Sequence, residues 1–250
     1  MAASKRLATA TAATLIMAGT AVADDNLDRA AVEAILADAE ERQTGLYDAE
    51  VAGADLAGLD FLGVDLRSIN VSNSDLTNAD LSGVNLDLGR MVGADLSGAR
   101  FAGASMFSVV AKDARFVNAS LPKVRLIGDL SGTDFSGADL SGLRGGADMQ
   151  NQSMGLMNAV FNGADLVGAD LSGADLSRAY LKFVDFTDAN LAGADLSRAD
   201  LAAAEFRGAD LTDADLTGAI VPRTDFRGAW GMDTVKGLDT LKERDRAHFD

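Results

Sequence analysis

Residues 164–206 read "ADLVGADLSGADLSRAYLKFVDFTDANLAGADLSRADLAAAEF", with Leu or Phe at every fifth position. This spacing fits neither an α-helix, with 3.6 residues per turn, nor a strand, in which side chains alternate every two residues. The unit is Ala, Asp, Leu, x, x, and Ala stands two residues before the central Leu or Phe in almost every copy. A chain geometry that repeats every five residues must therefore organise this stretch.

The same five-residue unit covers most of the chain. Its central residues fall in three runs, from 46 to 126, from 130 to 140 after a slip of one residue, and from 161 to 226. Together these runs contain thirty-four pentads. The A-D-L-x-x signature resembles that of the pentapeptide-repeat family.

The resemblance implies an all-β solenoid, the right-handed quadrilateral β-helix. In this fold four pentads close one square coil, and the central residue and the Ala before it point inward. Stacked coils lie about 4.8 Å apart, as neighbouring strands do, so the pentads predict about eight coils and a rod about 40 Å long.

Two patterns in the residues agree with a coil of twenty residues. Glycine dominates the second position after the central residue, where a type II turn needs a positive φ. The chain's two prolines, Pro122 and Pro222, stand at the first position, where that turn needs φ near −65°. Aromatic central residues recur at multiples of twenty, which predicts rings stacked on one inner wall, in the series Phe186, Phe206, Phe226 and Phe61, Phe101, Phe161.

The composition changes at both ends of the repeat. Residues 1–23 have a basic start, an apolar stretch and Ala-Val-Ala before two acids, which predicts a secretory signal peptide cleaved after Ala23. Residues 24–43 predict an amphipathic capping helix, and residues 229–250 predict a C-terminal cap, so we expect short α-helical caps at both ends. The repeat spans residues 44–228.

The repeat is irregular at residues 143–158, where the motif is lost and Met149, Met154 and Met157 gather. Methionine fills irregular gaps in protein cores, so one interpretation is a degenerate coil. The other interpretation is a loop that protrudes from the rod and helps to bind a partner. The sequence leaves both open.

Charge and hydropathy restrict the partners. The net charge is −16, and it becomes −18 when Lys5 and Arg6 leave with the signal peptide. Such a surface repels nucleic acid, so we expect no direct nucleic-acid binding. No stretch after the leader is apolar for long enough to span a bilayer, and the expected location is the periplasm or the medium.

Residue types that commonly carry catalysis are scarce in the repeat. The chain has no cysteine, and its single histidine, His248, lies in the C-terminal tail. The Asp residues before the central positions belong to the repeat and are expected to point outward and bind backbone groups. We therefore predict no enzyme activity, no cofactor and no metal site.

The leading hypothesis is an exported, non-catalytic scaffold that binds an unknown protein or a surface polymer. The alternative comes from the resemblance, which implies an acidic mimic of duplex DNA that binds DNA gyrase. The signal peptide argues against the alternative because gyrase is cytoplasmic. Residues 89–127 also argue against it, since they carry six basic residues and two acidic ones.

One surface is predicted to contact the partner. At twenty residues per coil, Phe107 lies one coil below Ile127 at an outward corner. An apolar centre with a basic rim is typical of a contact site for an acidic or amphipathic partner. Alternatives are a homodimer through the same residues and surface variation without function. The predicted patch consists of Leu88, Arg90, Phe107, Val110, Lys112, Arg125 and Ile127.

Overall fold

The structure is a computed structural model that describes residues 26–42, 45–61, 63–147 and 157–250. The predicted signal peptide, residues 1–23, lies outside these residues. Within the described ranges, no helix is long and apolar enough to cross a membrane. The described part of the chain starts with an α-helix and continues as a four-sided coil of parallel β-bridges.

The helix α1 (Arg29–Arg42) lies at the N-terminal end of the coil. Asp28 begins it, because the Asp28 Oδ1 atom accepts a hydrogen bond from Ala31 N at 3.0 Å. Just before the helix, Leu27 N donates to Glu50 O at 2.7 Å, so the segment is bonded to the first coil. The helix turns one apolar face to the core, with Ala31, Val32 and Ile35 buried.

The coil repeats every twenty residues. Asp55 pairs with Asp75, and Asp75 with Asp95, and equivalent parallel pairs occur on all four sides. The residue before each central position is thereby stacked in one of four columns, with rungs about 4.8 Å apart. The columns are named by their first and last members: A from Glu50 to Lys242, B from Asp55 to His248, C from Asp60 to Trp230 and D from Asp65 to Lys236.

The interior holds the central residues and the Ala residues two positions before them. Nearly all of both sets are buried, which confirms their inward assignment. Burial of one Leu or Phe side chain contributes about 1.5–3 kcal/mol, so the repeat itself supplies the core. Where Thr224 takes an Ala position, its hydroxyl is satisfied by donating to Leu201 O at 2.8 Å.

Phenylalanine rings stack on the inner wall beside column B. Phe186 and Phe206 have ring centroids 4.8 Å apart, and Phe206 and Phe226 are 5.0 Å apart, with nearly parallel planes, as predicted. The prediction that Phe61, Phe101 and Phe161 share a wall is wrong, because Phe101 lies beside column C and Phe161 beside column A. One coil lacks a residue and another has extra residues, so the sequence interval no longer reports the wall.

Most corners of the coil are turns whose second residue has a positive φ. Gly98 and Gly168 have φ values of 69° and 65°, as the turn prediction requires. Polar residues, such as Asn78 with φ 58°, replace glycine at many corners, because a short polar side chain tolerates the left-handed conformation better than an apolar one.

One corner between columns D and A has a different construction. Strands β1 (Ser105–Val110) and β2 (Arg125–Asp129) cross this corner and pair in parallel. Val110 pairs with Asp129, an interval of nineteen residues, so the coil of β2 is one residue short. Gly128 lies opposite Val109 with φ 153°, and a Cβ atom on Gly128 would lie 2.2 Å from Val109 O. Glycine is therefore required at this corner.

The irregular segment falls at the same corner in the chain order, one coil later. Asp134 pairs with Asp165, an interval of 31 residues instead of 20, and no additional rung lies between them. Ala159 N donates to Gly145 O at 2.9 Å, and β3 (Ala159–Val160) pairs directly with β2. The rungs before and after the segment therefore pair directly with each other, and both interpretations of the segment, a degenerate coil and a protruding loop, stay predictions. Residues 148–156 of this segment lie outside the described residues.

The C-terminal residues form a wider final coil with six residues per side. From residue 230 the sequence repeats as WGMDTV, KGLDTL and KERDRA. The prediction of an α-helical cap at 229–250 is wrong, and the helical element there is a 3-10 helix, Arg244–Arg246. Glycine and Asp-Thr pairs favour turns over a helix, and Thr234 Oγ1 and Thr240 Oγ1 donate to Gly231 O and Gly237 O.

Candidate interaction surfaces

The predicted patch is assembled across three successive coils. β1 and β2 place Phe107 directly below Ile127, as expected from the twenty-residue coil. Leu88 N donates to Phe107 O at 2.9 Å, so Leu88 lies one coil further down, and its side chain is 58% exposed. Arg90 lies directly below Val110 in column A.

Two cations of the patch are held by specific contacts. The Arg125 guanidinium lies over the Phe107 ring, 4.2 Å from its centroid, in a cation–π arrangement. Lys112 Nζ lies 2.9 Å from Asp129 Oδ2, and this hydrogen bond raises the pKa of Lys112. Phe107 is half-buried, so its ring contributes less free apolar surface than the sequence suggests.

Ile127 does not belong to the exposed surface. Its side chain is only 3% exposed, which contradicts its assignment to an outward corner. The coil of β2 has one residue fewer than its neighbours, so the ordinary two-residue turn cannot form at this corner. Ile127 consequently lies within the wall of the coil. The other six predicted residues lie at the surface, five of them at this corner or on the adjoining columns D and A, and Lys112 at the corner that follows column A.

Basic residues form a belt around the middle of the rod. Between residues 112 and 125, one coil carries four cations distributed around the rod. Arg115 stands in column B and Arg125 in column D, while Lys112 and Lys123 stand at the corners that follow columns A and C. This belt interrupts the acidic surface that the Asp residues produce in the coils above and below.

Four exposed aromatic residues among those described lie outside the predicted patch: Tyr47, Tyr180, Phe183 and Trp230. Tyr180, 47% exposed, replaces the usual Asp in column A, and Phe183, 60% exposed, occupies a corner position. Phe183 has φ 59° and Leu88 has φ 66°, a left-handed conformation that costs about 1–2 kcal/mol for a residue with a Cβ atom. A large apolar residue at the second position after a central residue is the sequence signal that could have identified Phe183.

Column B carries a nearly continuous series of carboxylates. Its ten members are acidic except for Arg115 and His248.

The repeat Asp residues bind the backbone locally, as predicted; Asp195 Oδ1 accepts a hydrogen bond from Ser197 N at 2.8 Å. The hydrogen bond from Arg227 lowers the pKa of Asp225 to about 2. Among the residues that the structure describes, no group of three or more His, Cys, Asp or Glu could hold a metal ion.

Comparisons with known proteins agree with this architecture. The family model described as pentapeptide repeats matches residues 46–83, 156–193 and 194–229, with eight copies. QnrB1, described as a plasmid-mediated fluoroquinolone resistance protein, is 18% identical with a TM-score of 0.54, and the match covers 78% of this chain and 91% of QnrB1.

A second solved structure is HetL, a pentapeptide repeat protein involved in heterocyst differentiation regulation in the cyanobacterium Nostoc sp. strain PCC 7120. It is 28% identical with a TM-score of 0.45, and the match covers 82% of this chain and 86% of HetL. A comparison with curated protein sequences gives no match. The five-residue repeat, the twenty-residue coil and the family match agree that the fold is a right-handed quadrilateral β-helix and that the chain belongs to the pentapeptide-repeat family.

Proposed function

We propose that this protein is an exported, non-catalytic scaffold that binds a protein or a surface polymer through the outer faces of its rod. The observation that carries the proposal is the exposure of two large apolar side chains, Leu88 and Phe183, in left-handed turns. Glycine or a short polar residue would relieve the backbone strain at these two positions. Burial of the two side chains does not offset the strain, because both side chains are largely exposed. Residues in such strained conformations cluster at binding sites, which supports a role in contact with a partner.

The surroundings of Leu88 indicate the chemistry of the partner. The three cations of the predicted patch, Arg90, Lys112 and Arg125, lie around its apolar residues Leu88, Phe107 and Val110. The protein as a whole has a net charge of −16. An acidic or amphipathic partner would cover the apolar side chains and place its carboxylates against Arg90, Lys112 and Arg125.

Replacement of both strained residues, Leu88→Gly with Phe183→Gly, is expected to separate binding from stability. Removal of two left-handed apolar residues should leave the melting temperature unchanged or raise it, because each substitution relieves about 1 kcal/mol of strain. Recovery of partners from the exported fraction should fall strongly. Thermal unfolding and affinity capture on the same preparation measure the two effects.

The matched control is Asn118→Gly. Asn118 is also a left-handed corner residue, with φ 55°, but its replacement removes no apolar surface. This variant should keep the partners of the wild-type protein. Equal capture by the wild type and the double glycine variant would refute the role of the two apolar residues.

Export is proposed from the leader sequence. The mature protein is expected to begin at Asp24 and to appear in the periplasm or the medium, because signal peptidase cleaves after small residues such as Ala23. Cell fractionation followed by N-terminal mass determination tests this. An intact N-terminus in the cytoplasmic fraction would contradict it.

A gyrase-binding DNA mimic is the second candidate, and the acidic residues of column B favour it. The basic belt and the scarcity of acids in column A oppose it, because duplex DNA presents negative charge on every side. In a gyrase supercoiling assay the mature protein is expected to have no effect. Inhibition at micromolar protein would favour the mimic over the exported scaffold.

A further inference from the structure

Column A differs from the other three columns because its exposed residues are of mixed character. Its five lower rungs are Glu50, Asn70, Arg90, Val110 and Asp129. Its five upper rungs are Val160, Tyr180, Asp200, Ile220 and Lys242. The bridges join these ten residues without a gap, so the column runs about 45 Å along one side of the rod.

The residues of column A complement each other when a second copy of the column is placed antiparallel to the first with the two midpoints aligned. Glu50 then faces Lys242 of a second copy, and Arg90 faces Asp200. Val110 faces Tyr180, which gives an apolar pair next to the centre. The remaining pairs set one polar or charged residue against one apolar residue, and no pair has like charges. The twofold axis lies at the middle of the column, so the two rods overlap along their full length.

The other columns lack this property. Reversal about the midpoint places Asp134 against Asp165 in column B, Asp139 against its own equivalent in column C, and Arg144 against its own equivalent in column D. A parallel arrangement of two A columns also fails, because every charged residue would meet its own copy. Like charges in direct opposition disfavour these contacts.

Contacts within one chain are compatible with the antiparallel arrangement. Lys112 and Lys182 lie next to Val110 and Tyr180, which face each other across the interface. Each ammonium group is held by a carboxylate on the next rung of its own chain: Lys112 Nζ lies 2.9 Å from Asp129, and Lys182 Nζ lies 3.0 Å from Asp200. A carboxylate has about four acceptor sites, so Asp200 can accept a guanidinium while it keeps Lys182.

We propose that two copies of this chain pack face to face and antiparallel along column A. This dimer covers Arg90 and Val110, so in the dimer these two residues contact the second copy and not the partner of the scaffold. It leaves Leu88 and Phe183 at the two edges of the interface. It rests on the pattern of column A and not on export or on the partner of the scaffold. Closed twofold symmetry is the commonest arrangement of soluble oligomers, and it requires a surface that is complementary to itself.

Charge exchange across the interface tests the dimer. By analytical ultracentrifugation at about 100 µM, the wild type should be dimeric. Arg90→Asp should raise the dissociation constant at least about tenfold, because it sets a second carboxylate against Asp200, and Asp200→Arg should do the same by setting two guanidinium groups together. The double exchange should restore the dimer. Asp is the ordinary residue at this repeat position, so Arg90→Asp is compatible with folding.

The control for charge reversal is Arg115→Asp. It makes the same change at the same repeat position in column B, outside the interface, and should leave the dimer intact. Equal dissociation constants for Arg90→Asp and the wild type would place the dimer elsewhere and overturn the proposal. A monomeric wild type would also overturn it, while the partner surface at Leu88 and Phe183 would still be tested by capture.

Crosslinking through introduced cysteines tests the register. The chain has no cysteine of its own, so only the introduced thiols can react. Packed sheets lie about 10 Å apart, so a short bismaleimide suits the gap better than a disulfide. A mixture of the Val110→Cys and Tyr180→Cys proteins should crosslink efficiently, and each protein alone should not. Crosslinking of the Val110→Cys protein with itself would indicate a parallel pair and overturn the antiparallel register.

Discussion

Leu196→Asp is expected to unfold the protein or to lower its melting temperature drastically. Leu196 is a central residue with no exposed surface, between coils whose central residues are also buried. The substitution removes an apolar side chain and places a carboxylate without a partner in the interior. We expect a loss of at least about 4 kcal/mol, a large part of the stability of an ordinary domain.

Ser197→Asp is the matched control, since it adds the same charge one position later. Ser197 is half-exposed at the start of a turn, and its N–H donates to Asp195 Oδ1. The new carboxylate stays in water, and we expect a change within about 1 kcal/mol. Leu196→Ala separates the loss of packing from the buried charge. Equal melting temperatures for Leu196→Asp and Ser197→Asp would refute the inward assignment.

Gly128→Ala is expected to destabilise the protein by several kcal/mol, although the repeat consensus favours Ala at this position. Gly128 stands two residues before the central Leu130, where Ala is the usual residue. The added Cβ atom would lie 2.2 Å from Val109 O and 2.8 Å from Val109 N, and both are backbone atoms of β1. The strands must separate or the corner must rearrange, and either change disrupts the pairing of β1 and β2.

Gly163→Ala provides the comparison for Gly128→Ala by circular dichroism melting. Gly163 has φ 68° and is exposed, and an added Cβ atom would meet no atom within 4 Å. Its replacement should cost only the left-handed strain, about 1–2 kcal/mol. If Gly128→Ala melted at or above the temperature of Gly163→Ala, the corner would not have the close strand approach that we describe.

The sequence by itself determined the repeat, the direction of its side chains and the form of its corners. A five-residue period with Ala and Leu at fixed positions has one economical solution, a square coil with both residues inside, and local chemistry enforces it. Gly98 takes the positive φ that its turn requires, and Asp195 binds the backbone two residues later. These are short-range effects, which the residues within one pentad are sufficient to specify.

The C-terminal coil has a sequence pattern that suits two different structures. Its units WGMDTV and KGLDTL are six residues long, and the spacing of apolar residues within them also suits a helix. Pairing with the coil below decides between these structures, because Lys236 and Lys242 bridge to Asp215 and Ile220. The preceding coil therefore acts as a template that an isolated segment lacks.

Only the tertiary structure decided which residues share a side of the rod. The missing residue near Gly128 and the longer interval between Asp134 and Asp165 change the phase of the coil. They place Ile127 in the wall, Phe161 on a different wall from Phe101, and Val160 directly above Asp129 in column A. A pentad specifies which side chains face outward, but the side on which each lies depends on the cumulative length of all preceding coils. The surfaces for partners are built by stacking between coils, and local sequence patterns contain no direct record of that stacking.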